Sequence, residues 1–139
     1  MKYEVLSVKK TAENEKAPIF IKAIEDAYVV NGDEEFGADA LKDKNFCDSE
    51  VLHFKADAKN GKLYRKVLFK FDISAFEGEK LAKASLRLFG TGAQDANGTA
   101  VANIYDVCPK SWDEKTVTFN TTPDKGELVA TTKLARTSR

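Results

Sequence analysis

A chain of 139 residues, 42% of them hydrophobic, is long enough to bury one core and short for two. Its 22 basic and 22 acidic side chains cancel, which excludes the whole-surface positive field of a general nucleic-acid or anionic-membrane binder, and no window approaches the roughly 18 apolar residues of a membrane span. Any electrostatic function must therefore come from uneven placement along the chain.

The opening "MKYEVLSVKKTAENEKAPIF" has acids and lysines where a secretory leader needs an apolar run. The absence of a leader fits equally a module excised from a longer secreted protein. Residues 1–16 are expected to be an N-terminal extension or an extra strand of one domain spanning 1–139. "IFIKAIEDAYVV" follows as the first alternating segment. After it, "NGDEEFGADALKDKNFCDSE" carries seven acids against two lysines, a solvated loop or a site for structural calcium, which needs six to eight oxygen ligands. No other cofactor is indicated. Cys47 and Cys108 lack CxxC or His-rich spacing, which argues against zinc; free buried or half-buried thiols are expected, with a disulfide as the alternative.

The next stretch, "HFKADAKNGKLYRKVLFK", holds His53 and six Lys or Arg against one acid. Within it "KNGK" is an Asn-Gly hairpin turn, whose central residues tolerate positive φ, so "VLHFKA" and "YRKVLFKFDI" should be neighbouring strands. "ISAFEGEKLAKASL" is broken by Gly78 and reads as a connector with a single turn. "ASLRLFG", "TAVANIYDV", "TVTFN" and "ELVATT" complete a series of short alternating segments separated by Gly, Asn, Asp and Pro, the pattern of an all-β sandwich or barrel.

Period-two alternation assigns the facing of each strand. Leu52 and Phe54, then Val67, Phe69 and Phe71, then Leu86 and Leu88, then Ala102 and Ile104 are expected inward. Val51, Leu68, Ser85 and Phe89 are expected outward, together with His53, Lys55, Lys66, Lys70, Arg87, Asn103 and Tyr105. If these strands share a sheet, that outer face is basic, partly aromatic and nearly free of acids. Arg65 shares parity with Phe69 and is expected at the strand start, paired with an acid or joining the site at its edge; Lys110 would extend the cationic track. Trp112 is expected in the core, the alternative being a sugar-stacking platform.

If the ligand is the acidic polysaccharide that the motif resemblance below implies, such a face suits its carboxylated sugars. Same-face residues on a strand repeat about every 6.6–7 Å and neighbouring strands lie about 4.8 Å apart, so cations can be set at intervals along a ribbon of uronates. Arg87 can grip a carboxylate through two parallel hydrogen bonds, which lysine cannot; Tyr105 can stack on a pyranose, and His53 or Asn103 can bond hydroxyls. The competing explanation is that strand lysines merely solvate the face and protect it from edge pairing. Catalysis is weakly indicated: His53 is the single histidine, and a minimal lyase would have to combine His53 or Tyr105 with Arg87.

The motifs in unbroken order resemble those of the DNRLRE-type domain and, within it, carbohydrate-binding module family 96. They are Asp26 to Val29 in "DAYVV", the Phe36-Gly37 turn, Arg65 to Asp72 in "RKVLFKFD", Ala84 to Leu88 in "ASLRL", and Trp112 to Pro123 in "WDEKTVTFNTTP". The resemblance implies an antiparallel β-sandwich of jelly-roll type. It implies a noncatalytic, monomeric module that binds an acidic polysaccharide, alginate in the founding examples, neither nucleic acid nor membrane. Such a module acts at the cell surface or outside the cell, within a larger secreted protein that carries a linked catalytic domain. A structural or adhesive cell-envelope domain is the alternative. Asp26, Asp72 and Glu114 match acidic family positions, where turn-bonding and capping roles are expected. Phe119 stands where the family usually has Trp. Relatives commonly continue beyond the "TTPDKG" turn, so either "MKYEVLSV" supplies the closing strand or the chain is trimmed.

Overall fold

The computed structural model describes residues 4–10, 18–32, 39–55, 64–90, 99–107 and 111–135. Among these residues the strands are β1 (Glu4–Lys10), β2 (Ile19–Val30), β3 (Arg65–Phe71), β4 (Leu81–Leu88), β5 (Thr99–Tyr105) and β6 (Leu128–Ala135), with one helical turn, α1 (Asp39–Lys42), and a 3-10 turn at Ser74–Phe76. Every ladder between named strands is antiparallel, the all-β class expected from the alternating segments. No helix among the described residues is long and apolar enough to cross a membrane.

The chain forms two compact units, one of Met1–Phe89 with Asp113–Thr122 and one of Gly90–Trp112 with Pro123–Arg139. The first contains a four-stranded sheet in the order β3-β2-β1-β4. Strand β1 pairs with β2 only over Ile19–Lys22 and with β4 along its whole length, while β3 takes over the pairing of β2 from Ala23 to Val30. One extra residue, Ile24, sits between the Ala23–Phe71 and Glu25–Lys70 pairs, a bulge that lets the long β2 strand serve both partners.

The core of this unit lies on the second half of β2. Ala27, Tyr28, Val29 and Val30 are all buried, Val29 completely, so this segment has no solvent face. The Tyr28 ring stacks on Phe46 at 4.6 Å and meets the edge of His53 at 5.4 Å. Burying each such aliphatic side chain contributes roughly 1.5–3 kcal/mol.

A strand paired with a segment buried on both sides loses its own outward face, and this corrects the assignment for β3. Leu68, expected outward, opposes Ala27 and is only 7% exposed. The signal was the unbroken apolar run "AYVV", which marks a doubly covered strand instead of an alternating one.

The loop of residues 113–122 lies on the Leu68 side, where Phe119 meets the Lys66 ammonium and Glu114 meets Glu25. The segment "TVTFN", expected as a strand, is turns: the N–H groups of Thr116 and Val117 donate to the Asp113 carbonyl, Lys115 N–H to Asp113 Oδ1, and Thr118 and Thr121 bond one another. With these N–H groups bonded within the loop and the Asn120 N–H on the Lys42 carbonyl, the segment joins no ladder. Asn45 ties the loop down, its Nδ2 donating to the carbonyls of Glu114 (2.8 Å) and Val117 (2.7 Å) while its Oδ1 accepts the N–H of Cys47. The Glu114 carboxylate accepts the N–H of Asp26, and the N–H of Glu114 donates to Glu25.

Other expectations also change. Among its described residues, 51–55, "VLHFKA" forms no strand; Lys55 alone pairs, in a single antiparallel bridge with Arg65. Ser49 diverts the chain just before it, exchanging hydrogen bonds with Val51. Phe54, expected inward, is 51% exposed, as is Leu88. Cys47 is an exposed free thiol, not a buried one; partial desolvation and then the adjacent Asp48 carboxylate raise its pKa. Cys108, the Asn60-Gly61 turn and Phe36-Gly37 lie outside the described residues.

After β3, Asp72 accepts the Ser74 N–H at 2.9 Å and starts the 3-10 turn, which ends on Gly78 at φ +77°, a conformation glycine adopts without penalty. In the second unit β5 pairs with β6. The turn leading into β6 places the Gly126 N–H on the Asp106 carbonyl at 2.8 Å, and a Cβ on Gly126 would overlap the Asp106 carboxylate.

Candidate functional site

Two of the expected site residues on β3 are half-buried at the edges of the loop 113–122. Lys66 places its ammonium 5.0 Å from the Phe119 ring and 5.9 Å from the Tyr64 ring. A cation held between two rings gains roughly 0.5–2 kcal/mol according to its desolvation. Lys70 forms an ion pair with Glu25, its neighbour in the β2–β3 register. The face therefore contains an acid that the reading of β3 alone missed, because the acid comes from the partner strand.

Arg65 and Lys55 lie elsewhere. They oppose one another in an antiparallel bridge, Arg65 N–H to Lys55 carbonyl at 2.9 Å, and directly opposed residues share a face. Lys55 is thus on the Arg65 side, away from Lys66 and Lys70. The Nε of Arg65 is buried without a hydrogen-bond partner. His53 is exposed but spends one ring edge on Tyr28.

Arg87 does share the side of Lys66 and Lys70. Its register partner on β1 is Val5, which in turn pairs with Lys22, and alternation through the Ile24 bulge puts Lys22 on the Lys70 side. The Arg87 guanidinium lies 5.4 Å over the ring of Phe20. Arg87, Phe20 and Lys22 are all exposed, whereas the Lys66 end is under the loop.

Asn103 and Tyr105 belong to the second unit, on β5, whose ladder is with β6 and not with β3 or β4. Asn103 Oδ1 accepts a hydrogen bond from Thr131 at 3.0 Å, and Lys125 sets its ammonium 4.7 Å from the Tyr105 ring. Trp112 is half-buried. Lys110 lies outside the described residues. Among the described residues no three His, Cys, Asp or Glu side chains converge as a metal site, and much of the acidic loop, residues 33–38, lies outside them.

The residues that sequence reasoning missed are Phe20, Lys22, Tyr64, Phe119 and Lys125, each one half of a ring–cation pair or its neighbour. The signal for the first two was present in "IFIKAI", where alternation sets Phe20 and Lys22 on one side.

The antiparallel sheets define an all-β domain. The chain belongs to carbohydrate-binding module family 96, whose family model matches residues 17–139. It is therefore a noncatalytic carbohydrate-binding module. No curated protein and no solved structure shows a significant match to it.

Proposed function

We propose that this module binds an acidic polysaccharide, alginate first among them, and holds a covalently linked lyase against it as a monomeric part of a larger protein outside the cell or on its surface. The observation that carries this is the repeated seating of a cation on an aromatic ring: Lys66 with Tyr64 and Phe119, Arg87 with Phe20, Lys125 with Tyr105. A uronate offers a carboxylate to each seated cation, and the ring beneath holds that cation in place. A neutral glucan has no carboxylate for these cations.

Affinity electrophoresis tests the proposal. Gels containing alginate should retard the protein, more weakly at higher salt, while a neutral glucan leaves its mobility unchanged. Equal retardation by both would remove charge matching as the basis of binding. A rise in the absorbance of unsaturated uronate on incubation with alginate would instead make the module a lyase.

A further inference from the structure

Strand β1 lies between Arg87 and Lys22, two exposed cations of the four-stranded sheet, and it lies outside the family match, which begins at residue 17. Val5 registers with Arg87 on one side and Lys22 on the other. Arg87 and Lys22 are thus two inter-strand spacings apart, about 9.6 Å between backbones. Phe20, 53% exposed, precedes Lys22 by two residues and holds the Arg87 guanidinium over its ring. A guanidinium seated over a ring in this way can still present its N–H donors to a carboxylate. No described carboxylate forms a salt bridge with Arg87 or Lys22.

From this arrangement we infer that Arg87, Phe20 and Lys22 form a two-carboxylate subsite for a uronic-acid polymer that crosses the strands β4, β1 and β2. The inference rests on the reading of the module as a binder of acidic polysaccharide, and names where and in which direction the polymer lies. Arg87 receives one carboxylate through its paired donors, and Lys22 receives another further along the same edge of the ribbon. Phe20 is a positioning residue that fixes the guanidinium plane. A sugar residue advances a ribbon by roughly one strand spacing, about 4.8 Å, so the two cations read alternate carboxylates. The Lys66 end of the same sheet side is half-buried against Phe119 of the loop 113–122, while Arg87, Phe20 and Lys22 are exposed.

The test is titration calorimetry of the full chain with a hexameric oligouronate and with its carboxyl-reduced counterpart. The wild type should bind the first and not the second. Arg87→Gln should weaken binding about tenfold or more, the loss of one charge-assisted contact, with Arg87→Lys between the two. Lys22→Gln should weaken it several-fold and lower the salt dependence. Phe20→Tyr should keep the affinity and Phe20→Leu reduce it, and Phe20→Leu should add nothing once Arg87 is Gln, because it acts through Arg87. Thermal unfolding of these outward variants should match the wild type. If the wild type binds the oligouronate and both Gln variants bind it equally well, the subsite is overturned while the function stands. If the wild type binds neither this oligouronate nor pectate nor heparin, the functional reading and the subsite fall together.

Discussion

Asn45 is the point at which a single side chain decides whether one side of the β2–β3 ladder is covered. Its amide donates two hydrogen bonds to carbonyls of the loop 113–122 and accepts one from Cys47. Replacement by Ala removes all three and leaves the Glu114 and Val117 carbonyls unpaired, Val117 being 3% exposed. Two part-buried bonds at about 1 kcal/mol each, plus about 1 kcal/mol for stranded acceptors, give a loss of about 3 kcal/mol. Against the 5–15 kcal/mol typical of domains that is a large share, and with a urea slope of about 2 kcal/mol/M it moves the midpoint down by about 1.5 M. Urea unfolding followed by Trp112, the one Trp of the chain and the residue just before the loop, measures it. Asn45→Asp should be at least as damaging at neutral pH, since a carboxylate would face two carbonyl oxygens. Its folded-state pKa is then raised, so the deficit should shrink as pH falls and the acid gains a proton to donate. A midpoint for Asn45→Ala within about 0.3 M of the wild type would refute the latch.

Two further outcomes follow from the same geometry. Leu68→Ala should cost about 2–4 kcal/mol because the side chain is buried on the loop side; a loss under about 0.5 kcal/mol, as for a surface residue, would restore the outward assignment. Asp72 should titrate below the usual carboxylate range, because the Ser74 hydroxyl and then the Ser74 N–H hold its charged form. Its folded pKa being depressed, its contribution to stability is present above the unfolded value, about pH 4, and is lost as pH falls through the folded value. Carboxyl NMR should show the low midpoint, and Asp72→Ala should abolish this part of the acid dependence.

The strands of this protein are legible where alternation or turn residues are local properties. "IFIKAIEDAYVV" coincides with β2, and "ASLRLFG", "TAVANIYDV" and "ELVATT" each mark a strand. What failed depended on partners distant in sequence. Leu68 is buried on the side where a loop about fifty residues away lies, and Lys70 meets Glu25 from another strand, neither of which the pattern of β3 contains. "TVTFN" alternates like a strand, yet Asp113 and Thr121 satisfy its backbone first. Among the expected site residues, Arg87 and Lys66 share a sheet side as anticipated. Lys55 does not, because its one-residue bridge opposes it to Arg65.

Strand β1 also bears on where the domain can be trimmed. A recombinant chain trimmed to residues 17–139 would satisfy the family match and yet lose the strand that joins β2 to β4. Both flanking strands would then present unpaired backbone donors and acceptors, a template for pairing with a second molecule. Trimming at the family boundary should therefore make the domain more prone to self-association, and the residues before that boundary should be kept when the module is fused to another protein.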